Sequence, residues 1–312
     1  PIGQWKKLAY SMMLRLSMRL TEVAPTVAKQ WAETAVNGGV FTSNADNAFI
    51  MHDAAGGRTT VNRNSNILAG EWNATNTGEG FLSKTFVDFL SDTNDPRLGL
   101  FARIQSTGDT DPANQIGLPN GLDQNGGAFD VSTDPDFPGD ITNYSTIRDD
   151  VFLSLSGPTF VINYAQVELL LAEAALRNYN VGGTAESHYT AGVTAAMQFL
   201  TQYNSTAEVP ADEITTYLTA NPFVVADGME MIGAQYWVAS FLDWYEVWSN
   251  WRRTGYPELV PVNYPGNATG GVIPRRMIYP SHEASNNSVN YGEAISRQGT
   301  NTFLTKVWWD AR

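Results

Sequence analysis

The chain has 312 residues, 43% hydrophobic and 12% aromatic, with a formal net charge of −13. That hydrophobic fraction can bury a real core and excludes a disordered chain, while the acidity excludes sequence-independent binding to DNA, RNA or anionic lipid, which needs a basic surface. The absence of cysteine removes disulfides and thiolate metal sites and leaves the compartment open.

Residues 3–22 read as an amphipathic helix, with Trp5, Leu8, Met12, Leu16 and Leu20 on one stripe. Before it stands Pro1 with no basic-then-apolar signal region, so the chain reads as a processed, truncated or partly observed product. No apolar run reaches the roughly 18 residues of a membrane helix. Pro25 suits the first turn of a second helix, which Gly38-Gly39 ends. Residues 40–78, rich in Asn, Asp, Gly and Thr, read as long loop or irregular β. A short helix at about 80–91 precedes the turn signal Asn94-Asp95-Pro96-Arg97.

Residues 104–147 contain no Lys or Arg but seven Asp, punctuated by Gly and Pro. A loop that long inside a compact domain is usually functional or mobile. Helices then return. Asn163 and Gln166 have capping-box spacing for a helix to about 178, and Thr184 caps a second helix to about 203, making a helical hairpin. A short helix covers 211–220. Asp227 and Glu230 again have capping-box spacing and open a long helix over 229–254. From Gly255 onward Pro, Asn and Gly dominate, with one helical turn near 290–297. Helices separated by two polar loop regions make a mainly-α chain, not a parallel α/β sheet.

Within the long helix, Trp237, Phe241, Trp244, Trp248 and Trp251 recur at spacings of four and three. This is the stripe expected of a helix packed against neighbours, and it predicts deep burial rather than a sugar platform. Arg252-Arg253 then read as C-terminal capping before Gly255.

Signatures of catalysis are missing. There is no Gly-x-Ser-x-Gly elbow and no Gly-Lys-Ser/Thr phosphate loop, and His52, His188 and His282 are scattered without metal-ligand spacing. Asp109-Thr-Asp111 begins like a calcium loop, but Asn120 stands where the bidentate Glu belongs. Calcium at Asp109 and Asp111 stays open beside the plainer reading of a solvated loop. Paired carboxylates suitable for glycoside hydrolysis are uninformative among 32 acids.

Binding is therefore the better expectation, and loop aromatics are its candidates. Trp72 with Asn73 leads, followed by Phe129, Phe137 and Tyr144 in or beside the acidic loop. A sugar ring offers a C–H face to stack on an aromatic ring and hydroxyls for Asn and Asp. Packing of these rings down onto the core is the alternative.

The stretches "WKKLAYSMMLRLSMRL", "NDPRL", "VINYAQVELLLAEAALRNYN", "ESHYTAGVTAAM", "WVASFLDWYEVWSNWRRTGYP", "IPRRMIYPSHEASNN" and "VWWD" follow in that order from Trp5 to Asp310. The ordered set resembles the SusD/RagB-like outer-membrane lipoproteins of Bacteroidetes over essentially the whole chain. The resemblance implies a mainly-α fold of tetratricopeptide-like helix pairs set against a loop-rich ligand-binding region. It implies one domain over 1–312, the C-terminal majority of a longer protein, with 40–78 and 104–147 as loop-rich insertions. It further implies a non-enzymatic, lipid-anchored cell-surface protein with no cofactor beyond possible calcium. Such a protein would capture oligosaccharide, or alternatively peptide, for a SusC-like TonB-dependent transporter. No nucleic-acid partner is expected, and membrane contact would come only through an N-terminal anchor outside this chain. Two departures are noted: family members are longer at the N-terminus, and no site motif carries over to particular residues. A glycan-active hydrolase and a purely structural repeat scaffold are the competing classes.

Overall fold

The computed structural model describes residues 2–65, 68 and 80–312; Trp72 and Asn73 lie outside them. About 51% of the structure is helical, so the mainly-α expectation holds. Helices of nine residues or more are α1 (Ile2–Met18), α2 (Pro25–Gly38), α3 (Lys84–Asp92), α4 (Tyr164–Leu176), α5 (Ala185–Gln198), α6 (Ala211–Ala220), α7 (Gly228–Ala239), α8 (Trp244–Thr254) and α9 (Ser288–Gln298). Four short strands form two antiparallel ribbons. β1 (Ala48–Met51) pairs with β4 (Pro158–Ile162), and β2 (Ala102–Ile104) with β3 (Ser145–Ile147).

The helix pairs α1–α2 and α4–α5 form the frame. Both capping boxes of the second pair are made: Asn163 accepts from the Gln166 amide at 2.8 Å, and Thr184 accepts from the Ser187 amide at 3.1 Å. Each such cap contributes about 1 kcal/mol by satisfying N–H groups that the helix leaves free. From Ala165 to Ala174 every residue of α4 is buried, so α4 is the central rod. Leu14 and Met18 of α1, Ala32 and Ala35 of α2, Leu169 and Leu170 of α4 and Met197 of α5 close one apolar cluster. A second cluster joins Phe86 and Leu90 of α3 to Phe101, Phe152 and Val238 of α7. In it Phe101 and Phe152 stack at 5.3 Å, and Phe86 meets Phe101 edge-on at 5.4 Å. Burying such side chains supplies roughly 1.5–3 kcal/mol each.

Two sequence-based expectations are corrected here. The helix expected over 229–254 is two helices, broken at 240–243, where Leu242 takes a left-handed φ of 70°. The break turns α8 so that its polar face is inside. Glu246, Asn250, Arg252, Arg253 and Thr254 are buried, whereas Trp244 is 49% and Tyr245 81% exposed. In α1 the expected stripe is only partly inward: Leu8 and Met12 pack against the core, Trp5 and Leu16 are exposed, and Ser11, Leu14, Arg15 and Met18 face inward.

The cause lies in what those polar faces meet. Glu246 accepts from Arg19 at 2.5 Å and from the Tyr236 hydroxyl at 2.7 Å, with Arg15 3.7 Å away. Arg253 grips Glu173 of α4 through both oxygens at 2.5 and 2.6 Å, and Arg177 adds a third bond to Glu173 at 2.8 Å. Burial alone would raise the Glu173 and Glu246 carboxyls. The facing guanidiniums overcome it and hold both below their ordinary range. A periodicity argument that treats charge as an outward signal cannot see partners contributed by helices tens to hundreds of residues away.

Arg252 likewise does more than cap α8. It lies 3.9 Å from the ring of Trp248 and 4.7 Å from that of Trp309, and it donates to the Arg275 carbonyl at 2.8 Å. Arg275 returns a bond to the Arg252 carbonyl and pairs with Asp310. The C-terminal segment is thereby fastened back onto α8. Gly255 ends that helix at φ 79°, as expected of a glycine past a helix end. The turn at 94–97 is anchored too: Arg97 and Asp95 form a fully buried pair, and Arg97 reaches Gln235 of α7 at 2.8 Å.

Candidate functional site

The acidic stretch 104–147 is built of short capped turns. Asp111, Asp130 and Asp140 each accept from the amide two residues on, at 3.0, 2.9 and 2.9 Å, opening one turn of 3-10 helix apiece. Asp123 does the same for Asn125 at 2.9 Å. Aspartate is plentiful because a chain with little regular structure must still satisfy its backbone donors. Asp109 accepts from the Asp111 amide at 2.9 Å and from Asn114 at 2.7 Å. Both carboxylates considered for calcium therefore already hold protein donors, and among the described residues no three acidic or histidine side chains are disposed to hold a metal ion.

One turn of this stretch meets the C-terminal segment. The Tyr264 hydroxyl donates to Asp123, and the Phe129 ring stands edge-on to the Tyr264 ring at 5.2 Å. That hydrogen bond, with the Asn125 amide, holds the Asp123 carboxyl below its ordinary value. Gly121, at φ 80°, lies so close to Val262 that a Cβ there would collide with it, so glycine permits the approach of the two segments.

Tyr264 lies on the wall of a cavity of about 630 Å³ between the 259–274 segment, Thr85 of α3 and Asn120. Aliphatic side chains such as Val262, Val272 and Ile273, together with Phe303, make most of the surface. Asn120 supplies an amide, and Asn267 and Thr269 line the wall with polar groups that already bond one another, the Thr269 hydroxyl donating to Asn267 Oδ1 at 2.6 Å. Tyr264 is 36% exposed, enough to present a ring face. An apolar hollow of this size with an accessible ring and a few convergent polar groups is the usual form of a small-ligand site.

The loop aromatics expected from sequence fare differently. Phe129 supports the cavity wall through Tyr264. Phe137 and Tyr144 pair with each other at 6.3 Å, apart from that wall. Tyr144 is fully buried, and burial together with the Asp134 charge pushes its hydroxyl up to about 12. Its ring presents no face, because it packs inward as a loop plug. Tyr264, Phe303 and Asn267 were not anticipated. The signal available was an aromatic inside "NYPGNATGG", in a segment otherwise read as plain coil.

His188 belongs to no site. Its Nδ1 meets Glu168 at 2.6 Å and its Nε2 meets the Gly182 carbonyl, so it ties α5 to α4 and to the turn between them. No described helix is long and apolar enough to cross a membrane.

The comparisons with known proteins agree with this architecture. Residues 1–280 match the SusD-like family described as "Starch-binding associating with outer membrane". No curated protein matches. Among solved structures, one called a chitin-binding protein is similar over 100% of this chain and 66% of its own, at 35% identity and a TM-score of 0.83. A Bacteroidetes SusD-like protein matches over 100% of this chain and 70% of its own, at 26% identity and a TM-score of 0.82. A chitin-binding SusD homolog from Flavobacterium johnsoniae matches over 99% and 64%, at 25% identity and a TM-score of 0.76. The chain thus spans about two thirds of the length of these relatives. With its helix pairs, its loop-built cavity and a family match covering nearly all of its length, this chain belongs to the SusD-like family.

Proposed function

We propose that the chain is the ligand-capturing part of a non-catalytic, lipid-anchored cell-surface protein. It takes up oligosaccharide and passes it to a SusC-like TonB-dependent transporter in the outer membrane. The observation that carries this reading is the 630 Å³ cavity, in which the half-open Tyr264 ring stands beside Asn120, Asn267 and Thr269. Ring stacking against the C–H face of a sugar supplies contact area, and the amides select among hydroxyl and acetamido groups. Two relatives named as chitin-binding support a glycan of N-acetylated amino sugars as cargo. The reading uses no cofactor and no nucleic acid. It treats 1–312 as one domain of a longer protein, and it keeps Trp72 and Asn73 as a second contact to be tested.

Calorimetric titration with chito-oligosaccharides, malto-oligosaccharides and a peptide mixture tests it. Saturable binding of one saccharide class, weakened about tenfold by Tyr264→Ala with the melting temperature unchanged, is expected. Wild-type affinity in that variant overturns the cavity assignment. Trp72→Ala in the same titration shows whether the second contact exists. Turnover of any oligosaccharide overturns the non-catalytic reading. Peptide cargo is the second reading, favoured by the net charge of −13.

A further inference from the structure

A second hollow of about 430 Å³ neighbours the ligand cavity: Thr85 lies on both, and Glu258 of the second adjoins Leu259 of the first in sequence. The character changes there. The second hollow is walled by the rings of Phe89 and Trp237, 6.3 Å apart and tilted by 57°, and by the carboxylates of Asp227, Glu230 and Glu258. Among the described residues no Lys, Arg or His lines it. Nearby Lys84 is spent on Asp88 and Asp136, at 3.3 and 3.2 Å.

The sequence assigned two of these carboxylates to a capping box at the start of α7. The structure shows no such cap: Asp227 makes no side-chain bond to the helix. The two acids, three residues apart at the start of α7, line the hollow with Glu258 from the following segment. Among the described residues none of the three carboxylates makes a hydrogen bond or ion pair. Nor are they disposed to hold a metal ion. The space suits a larger, organic cation.

We propose that this hollow binds the ammonium group of an amine-bearing hexosamine within the captured oligosaccharide. Aromatic faces attract an ammonium through their quadrupole when it lies within about 6 Å of the ring centroid. The three carboxylates supply negative charge that an entering ammonium would neutralise. Hydrogen-bonding groups of the sugar then face Thr85 and the Asn120 end of the first cavity. The inference rests on the glycan reading above and adds a charge preference to it: a chain carrying non-acetylated units should bind better than a fully acetylated one of equal length.

The test titrates the protein with fully acetylated and fully deacetylated chito-oligosaccharides of one length, at mildly acidic pH and low ionic strength. The deacetylated ligand should bind about five- to tenfold tighter, with the advantage shrinking in high salt. The double variant Glu230→Gln/Glu258→Gln should bind the acetylated ligand as wild type does and lose the preference. Asp212→Asn, an exposed acid on α6 away from the hollow, should keep it. Equal affinity for the two ligands, or a preference that survives the double variant, overturns the inference and leaves the glycan reading standing. Failure of both saccharides to bind also overturns the inference, and the glycan reading falls with it if malto-oligosaccharides fail to bind as well. Tighter binding of a lysine-rich oligopeptide than of either saccharide overturns the saccharide as occupant.

Discussion

Charge is used in opposite ways on the two sides of α7. On its inner side Tyr236 reaches Glu246, and around it the buried Arg15, Glu173 and Arg253 and the partly buried Arg19 are matched to carboxylate or guanidinium partners. On its outer side Asp227, Glu230 and Glu258 stand exposed around Trp237, their carboxylates without partners among the described residues. Buried charges are tolerated only when paired, because desolvation is costly. Exposed acids cost the fold little and remain available to a ligand. The inner side should therefore govern stability, and the outer side and the adjoining cavity should govern binding.

Breaking the inner side should have the largest effect. Glu173→Gln leaves the buried Arg253 guanidinium without its counter-charge and should lower unfolding stability by about 3–5 kcal/mol, read by urea denaturation. A loss below about 1 kcal/mol would dissolve the contrast between the two sides.

A smaller, pH-dependent effect should come from His188. Burial alone would lower its pKa, but its bonds to Glu168 and the Gly182 carbonyl raise it. The folded state thus favours the imidazolium. Its stabilisation, on the order of 1 kcal/mol, should be complete below the ordinary histidine pKa of about 6.5 and lost as pH rises through the raised folded value. His188→Gln should flatten that part of the stability–pH profile; an unchanged profile would show that His188 is not its source.

The smallest effect is expected at the cavity rim. Asp123→Asn removes the charge that Tyr264 faces while keeping an acceptor, so thermal unfolding should not move and saccharide affinity should fall roughly two- to threefold. A large drop in melting temperature would place Asp123 with the structural charges instead.

Much of the helical frame could be read before the structure. The Asn163 capping box, the Thr184 cap, the hairpin they open and the glycines that end α2 and α8 are local features, set by residues within one turn of each other. The site was far less readable. Phe129 was found because an aromatic in an acidic loop is conspicuous. Its partner Tyr264 was missed because it lies 135 residues on by number, in coil, and acquires meaning only through Asp123. Asp227 and Glu230 were misread because capping-box spacing is necessary for that cap but does not enforce it.

The sequence by itself determined the helix pairs, their termini and the family, because those depend on short-range propensity, capping chemistry and an ordered set of motifs spread along the chain. The tertiary structure alone decided which faces of α1 and α8 turn inward, where the helix over 229–254 breaks, and which aromatic rings stay open to a ligand. Those outcomes depend on ion pairs and ring contacts between residues tens to hundreds of positions apart, such as Arg19 with Glu246 and Arg253 with Glu173. Such pairings reverse what polarity predicts locally, because a buried charge with its partner in place is acceptable where an unpaired one is not.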